Sequence, residues 1–220
     1  QRFNMKQVAI CLAMILWINA GNQLYAQGCV AIRGVAGVCG RPSDAKGWDM
    51  NINNRYFKSY KHFVGTEEQK HRVENGSEVI NHSYELDITA TRTFNARWSV
   101  GMTLPIMAFG RSSLYEHDRQ NRYSTHSFGI GDIRVAAYRW IFDPAKSHKG
   151  NVQLGLGIKL PTGVYNYQDY FYKKTDSSIL GPVDQSIQPG DGGTGISVEL
   201  NSFYNFNHRL GAYGSFFYLI

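Results

Sequence analysis

Between positions 151 and 161 the chain reads Asn-Val-Gln-Leu-Gly-Leu-Gly-Ile-Lys-Leu-Pro, aliphatic at every second residue and polar or glycine between. A period of two predicts a strand with one oily face and one wet face. The pattern returns at 98–108 (Trp98, Val100, Met102, Leu104, Ile106) and at 194–200 (Ile196, Val198, Leu200). A further strand alternates Ile80, His82, Tyr84, Leu86, Ile88 and Ala90 against Asn81, Ser83, Glu85, Asp87, Thr89 and Thr91. The first strand opens with Trp48, Met50 and Ile52 and runs through Arg55, Phe57 and Tyr60, which predicts a change of phase. The fourth, about 128–140, has no clean phase: Val135 has apolar neighbours on both sides, and Gly129 and Gly131 predict a bulge. A last strand follows the turn at 207–209.

The segments between strands alternate long and short. Polar loops are expected at 63–77, 111–125 and 163–190, and tight connections at 94–96, 143–150 and 207–209. Outer-membrane barrels put long loops outside and short turns on the periplasmic side; a soluble β-sandwich has no reason to sort its loops this way. The expected fold is therefore all-β, an antiparallel transmembrane β-barrel of outer-membrane type occupying 48–220. Seven strands are an odd number where a single-chain bacterial barrel needs an even one. The seventh stops within Phe216-Phe217-Tyr218-Leu219-Ile220, so the sequence is expected to be truncated at its C-terminus.

The start of the chain sets the compartment. Met5 and Lys6 precede an apolar run at 8–18, followed by a polar stretch and a small residue at Ala26. That run is about half of the roughly 20 residues a membrane-spanning helix requires, and the arrangement is that of a secretory signal peptide over 1–26. Residues 1–4 read as an upstream error in the start. Export to an oxidising compartment favours pairing of Cys29 with Cys39, in a hairpin or plug segment over 27–47. The competing reading is a lipidated Cys29, although leucine is missing where a lipobox wants it. The expected location is the outer membrane of a Gram-negative-type cell.

Mean hydropathy is negative. In a barrel the apolar outer face averages out against a polar lumen and hydrophilic loops, so a hydropathy profile does not register it. The 14 Tyr, 12 Phe and 4 Trp are more telling, because aromatic girdles at two membrane interfaces would use many of them. Loss of two charges, Arg2 and Lys6, with the signal takes the net charge from +6 to +4. The basic residues are dispersed, and no nucleic-acid partner is expected.

Four other chemistries are weaker. Gly190, Gly192 and Gly195 match Gly-x-Gly-x-x-Gly, but a strand follows them where a dinucleotide site needs a helix. Asp184 and Asp191 supply too few oxygens to specify calcium. Two cysteines without histidines at the right spacing supply no zinc site. His82, His126 and His208 lie on or near strands among many serines, but no local motif favours a hydrolase. No catalytic residues, metal or cofactor are expected.

With the aliphatic phases facing lipid, Glu85, Asp87, Lys159 and Glu199 point into the lumen, and Arg134 joins them if the fourth strand has the right phase. A lipid-facing Arg or Lys at mid-membrane costs about 2–4 kcal/mol, which favours this placement. These five residues are the candidate lumen lining, either as a bracing salt-bridge network or as the groups that set the polarity of a permeation path. Gly101, Gly155 and Gly157 on the same face leave room for a solute or for an N-terminal plug.

Four blocks carry a family resemblance: Gly28-Cys29-Val30-Ala31-Ile32-Arg33, Phe128-Gly129-Ile130-Gly131-Asp132-Ile133-Arg134, 155–163 and 182–193. In order and spacing they resemble the outer-membrane transporter family labelled "MetA-pathway of phenol degradation". The resemblance runs from Gly28 to Ile220. It implies a β-barrel and passive uptake of small organic solutes, aromatic or apolar ones included, with no phenol chemistry in the barrel itself. Expected partners are outer-membrane lipid, a small solute and, during biogenesis, the barrel-assembly machinery. The rival expectation is a non-transport barrel: a surface-binding or structural protein, or a membrane-embedded hydrolase.

Overall fold

The structure is a computed structural model describing residues 46–174, 177–207 and 209–220. The expected signal peptide, Cys29 and Cys39, and His208 lie outside the described residues. In chain order the elements are β1 (Gly47–Ser59), β2 (Phe63–Val64), β3 (Glu67–Glu68), a short helix α1 (Lys70–Glu74), β4 (Ile80–Thr93), β5 (Trp98–Ser113), β6 (Tyr123–Ile130), β7 (Arg134–Trp140), β8 (Gly150–Lys159), β9 (Gln168–Lys174), β10 (Ser177–Pro182), a 3₁₀ turn at Gln185–Ile187, β11 (Gly195–Asn205) and β12 (Gly211–Leu219).

Eight of these strands form one antiparallel sheet in the order β1-β4-β5-β7-β8-β11-β12, with β6 also paired to β5. The sheet is strongly curled into a half-barrel. Every connection between neighbours along it is antiparallel and sequential, so the chain meanders up and down. Segments 60–79, 114–122 and 160–194 join strands at one end, which we call the long-loop end, and 94–97, 141–149 and 206–210 join them at the other, the short-turn end; the expected sorting by length holds for the first and third pairs but not for the middle one, where 114–122 and 141–149 are both nine residues. The first long segment holds the β2–β3 ribbon and α1, and the third holds the β9–β10 hairpin.

Strands β6 and β7 are one crossing interrupted. Ile106 pairs with Ile130, whereas Thr103 pairs with Arg134, so two residues of β5 oppose three of the partner. This is the bulge that Gly129 and Gly131 predict. Pro105 stands opposite it, where its missing N–H costs the ladder nothing, and its carbonyl accepts from Gly131 N at 2.9 Å. Thr162 Oγ satisfies two of the freed backbone groups, accepting from Ile133 N at 2.8 Å and donating to Gly131 O at 3.0 Å. The extra residue reverses the phase. Thr125 and Ser127 face inward before it, and Arg134 and Ala136 face inward after it.

Two expectations change in detail. Strand β1 keeps a single register from Gly47↔Thr93 to Ser59↔Asn81. The apparent change of phase arises because Phe57 lies on the inner face while Asn54 and Lys58 lie on the outer one. The loop expected at 111–125 is shorter, because Arg111↔Thr125 and Ser113↔Tyr123 remain paired. Polar inward side chains prolong these strands beyond the apolar alternation.

Burial is inverted relative to an ordinary sandwich. The buried hydrophobic side chains among the described residues are only Met107, Ala136, Val183 and Ile187, while the buried polar and charged set includes Glu85, Asp87, Arg111, Asp132, Arg134, Lys159, Glu199 and Asn201. The outward positions Met50, Ile52, Met102, Ile130, Leu154, Leu156, Ile158, Ile196 and Val198 are exposed.

Candidate functional site

The inner face of the half-barrel gathers the charged residues into discrete groups. Strands β7, β8 and β11 build the first. Arg134 and Lys159 are direct register partners on β7 and β8, and Glu199 lies opposite Gly155 on β11. Arg134 Nη1 is 3.4 Å from Glu199 Oε1, and its guanidinium lies 4.7 Å from the ring centre of Phe217 on β12. Tyr138 OH donates to Glu199 Oε2 at 3.2 Å. Glu199 has no exposed surface. Removing one member of such a pair strands the other charge away from water, at a cost of about 3–5 kcal/mol.

The second group sits at the bulge. Lys159 Nζ donates to Asp132 Oδ2 at 3.1 Å and to Asp191 Oδ1. Asp132 also accepts from Gly163 N at 2.9 Å and from Asp191 N at 3.3 Å. Burial works against ionisation of Asp191, but the bonds from Lys159 and Gly193 outweigh it and hold its carboxyl below the usual range.

A third group lies nearer the long-loop end. Arg111 donates from Nε and Nη2 to Glu116 Oε1 at 2.9 and 2.8 Å, and from Nη1 to Asn81 and Ser186 at 3.2 and 3.3 Å. Asp184 Oδ2 is 3.4 Å from Arg111 Nη2. Burial would raise the Asp184 carboxyl, but bonds from Ser186 and the Arg111 charge leave it below its ordinary value.

The second and third groups bracket the segment 183–191, which folds against the inner wall. Ile187 and Val183 are buried there, Ser127 Oγ donates to Ile187 O, and Gln188 Nε2 donates to Val183 O at 2.9 Å. Its far end is fixed by backbone contact: a Cβ built on Gly190 would lie 2.6 Å from Gly163 C and O, so only glycine fits.

On the other side of β5 lie Glu85 and Asp87. Glu85 pairs with Arg55 across the β1–β4 ladder. Asp87 is 7 % exposed, and its Oδ1 meets no hydrogen-bond partner among the described residues. The five expected residues thus share the inner face, but the structure brings together only Arg134, Lys159 and Glu199; Glu85 and Asp87 stand apart beyond Thr103, Pro105 and Met107 of β5.

Sequence reasoning missed Arg55, Arg111, Asp132, Tyr138 and Glu116 as members of these groups. The parity of β1 would have exposed Arg55, and the phase reversal at the bulge Asp132. Loop contacts such as Arg111–Asp184 leave no local signal. The room expected at Gly101 and Gly155 is taken by the wall itself. An added Cβ would meet the Tyr138 ring at 3.3 Å at Gly101 and at 2.7 Å at Gly155.

Among the described residues no group of three or more His, Cys, Asp or Glu side chains is placed to hold a metal. Asp184 and Asp191 are separately engaged by Arg111 and Lys159. No helix among the described residues is long and apolar enough to cross a membrane, which says nothing of strands. No protein-family model matches the chain, and no curated protein matches it.

Proposed function

We propose that the protein is an outer-membrane β-barrel acting as a passive channel or transporter for small organic solutes, as the resemblance read from its sequence implies. The observation that carries the reading is the partition of side chains across the curled sheet, with charges buried on the inner face and aliphatics exposed on the outer. In water this arrangement discards most of the hydrophobic stabilisation available to a sheet. In hydrocarbon it is the favourable one.

The outer face is also zoned. Tyr56, Tyr84 and Phe128 fall in one row near the long-loop end, linked through Tyr56↔Tyr84, Tyr84↔Ala108 and Ala108↔Phe128. Toward the short-turn end, Arg92 lies 5.6 Å from the Trp48 ring centre, Arg139 5.4 Å from Trp98 and Lys149 5.7 Å from Tyr204. Amphipathic rings and long cationic side chains are the residues that settle at a headgroup boundary. From Trp48 to Tyr56 the strand rises about 26 Å, or about 20 Å along the normal at a tilt of about 40°, close to the roughly 25 Å apolar band of such barrels.

The test is swelling of proteoliposomes carrying the full-length protein in isosmotic solutions of uncharged sugars. Size-dependent swelling supports a conduit. Vesicles that do not swell with correctly inserted protein overturn it, leaving the non-transport barrel.

A further inference from the structure

The chain as a whole is basic, at +6, yet the charged groups of its inner wall have the opposite balance. Arg134 faces Glu199, and Arg55 faces Glu85, each of the latter two having a further interaction. Lys159 is shared between Asp132 and Asp191, and Arg111 between Glu116 and Asp184. Asp87 is buried on this face, and among the described residues no cationic side chain forms an ion pair with it. Four cations thus meet seven carboxylates among these described residues. Asp49, at an inward position low on β1, has an interaction of its own and does not reverse the sign.

Among the described residues, several other basic side chains lie away from this face. Lys58, Arg92 and Arg139 occupy outward positions, the last two over Trp48 and Trp98, while Lys149 in a short turn lies over Tyr204. Bridged cations have their field largely cancelled by two carboxylates each, so the surplus is felt in the space the wall encloses. Charges of one sign on a concave, low-dielectric wall concentrate counter-ions and exclude like-charged solutes. The surplus is spread along the inner face: Asp184 lies on the infolded segment nearer the long-loop end, Asp191 and Asp132 lie at the bulge, and Asp87 lies across β5 from it.

Resting on the conduit reading above, we propose that this inner wall selects by charge, admitting cationic, amine-bearing and uncharged solutes in preference to carboxylates and other anions, because carboxylates outnumber cations where Asp87, Asp184 and Asp191 line it. The overall positive charge of the chain argues for the reverse preference, which makes the sign diagnostic.

The full-length protein is inserted into planar bilayers under a KCl gradient and the reversal potential measured, with sugar-driven swelling run in parallel on the same preparation. The expected result is a permeability to K⁺ about threefold or more above that to Cl⁻, reduced toward unity by Asp87→Asn. Sugar uptake accompanied by a reversal potential at zero or of the Cl⁻ sign overturns the charge selection while leaving the conduit intact. A cation preference unchanged in Asp87→Asn overturns the assignment to this residue, and Asp184→Asn, on the opposite side of β5, repeats the test should Asp87→Asn fail to insert. Absence of both sugar uptake and conductance overturns the conduit and this inference with it.

Discussion

Leu156 offers the sharpest measurement of which solvent the outer face meets. It is the central member of the outward run Val152, Leu154, Leu156, Ile158 and Leu160, is 63 % exposed, and has Ala137 and Val198 as outward neighbours across the ladder. Leu156→Arg removes little packing, because there is little packing to remove. If water bathed this face, the substitution would change stability by no more than about 0.5 kcal/mol. If hydrocarbon does, arginine near the midplane costs about 2–4 kcal/mol, while the same charge near an interface costs about 0–1 kcal/mol. Leu210, exposed in the short turn at 206–210, supplies that second position.

The assay is urea titration of folding into phospholipid vesicles, followed by tryptophan fluorescence. At about 1.4 kcal/mol per tenfold, Leu156→Arg should lower the folding equilibrium constant by about 30- to 1,000-fold. Leu210→Arg should lower it by less than about fivefold. Equal effects of the two substitutions, or two effects within about 0.5 kcal/mol of zero, would refute a hydrocarbon-facing outer wall.

Three more outcomes follow from the inner face and the loops. Asp184→Ala removes the acceptor for Ser186 N at 2.9 Å and the contact with Arg111, so amide exchange at 185–188 should quicken by about tenfold for a loss of about 1–1.5 kcal/mol; unchanged exchange would mean that the other anchors, such as Ser127 Oγ on Ile187 O, hold the turn without Asp184. Gly157→Val forces a Cβ to within 2.6 Å of Ser197 Oγ and 3.0 Å of Val135 O, and should destabilise by about 1–3 kcal/mol in the same urea titration, whereas wild-type stability would refute close packing of the β7–β8–β11 wall at this position. His117 is buried, stacks on Phe171 at 5.5 Å and accepts from Tyr172 N at 3.1 Å, and burial lowers its pKa; its contribution is complete above the ordinary histidine range and is lost as pH falls through the lowered value, so Tyr172 N–H protection, corrected for intrinsic rate, should drop on acidification in wild type and be flat with pH in His117→Asn.

The parts of the fold legible in the sequence are those where one face of a strand is uniformly aliphatic. In β8, Leu154, Leu156 and Ile158 fix the parity, so Lys159 could be assigned to the inner side from sequence alone. Likewise Leu86 and Ile88 place Glu85 and Asp87, and Ile196 and Val198 place Glu199. The β6–β7 crossing defied the same reasoning because a bulge reverses parity in mid-strand, and alternation then has no single phase to detect. Arg134 faces inward only because that one extra residue is inserted at 131–133. The infolded segment was legible only as a loop with glycines at its ends. Its attachment depends on pairs separated by tens of residues, such as Ser127–Ile187 and Arg111–Ser186.

Bracing and charge selection, posed in the sequence as competing roles for the inward charges, are compatible on this wall if the proposed conduit holds. A pair matched one to one, such as Arg134–Glu199, spends its field on its partner and acts as a cross-strand tie. A cation held by two carboxylates does both things at once, since the tie needs only one of them and the other leaves a net charge facing inward. Lys159 is the clearest case: Asp132 belongs to the bulge and fixes the wall, whereas Asp191, on the infolded segment, has a side chain that is 56 % exposed and is the carboxylate of the two open to the surroundings. The same arrangement at Arg111, with Glu116 accepting two of its donors and Asp184 only approaching at 3.4 Å, divides the work in the same way. On this reasoning neutralising the second carboxylate of each set should alter selectivity more than stability, and neutralising the first should do the opposite.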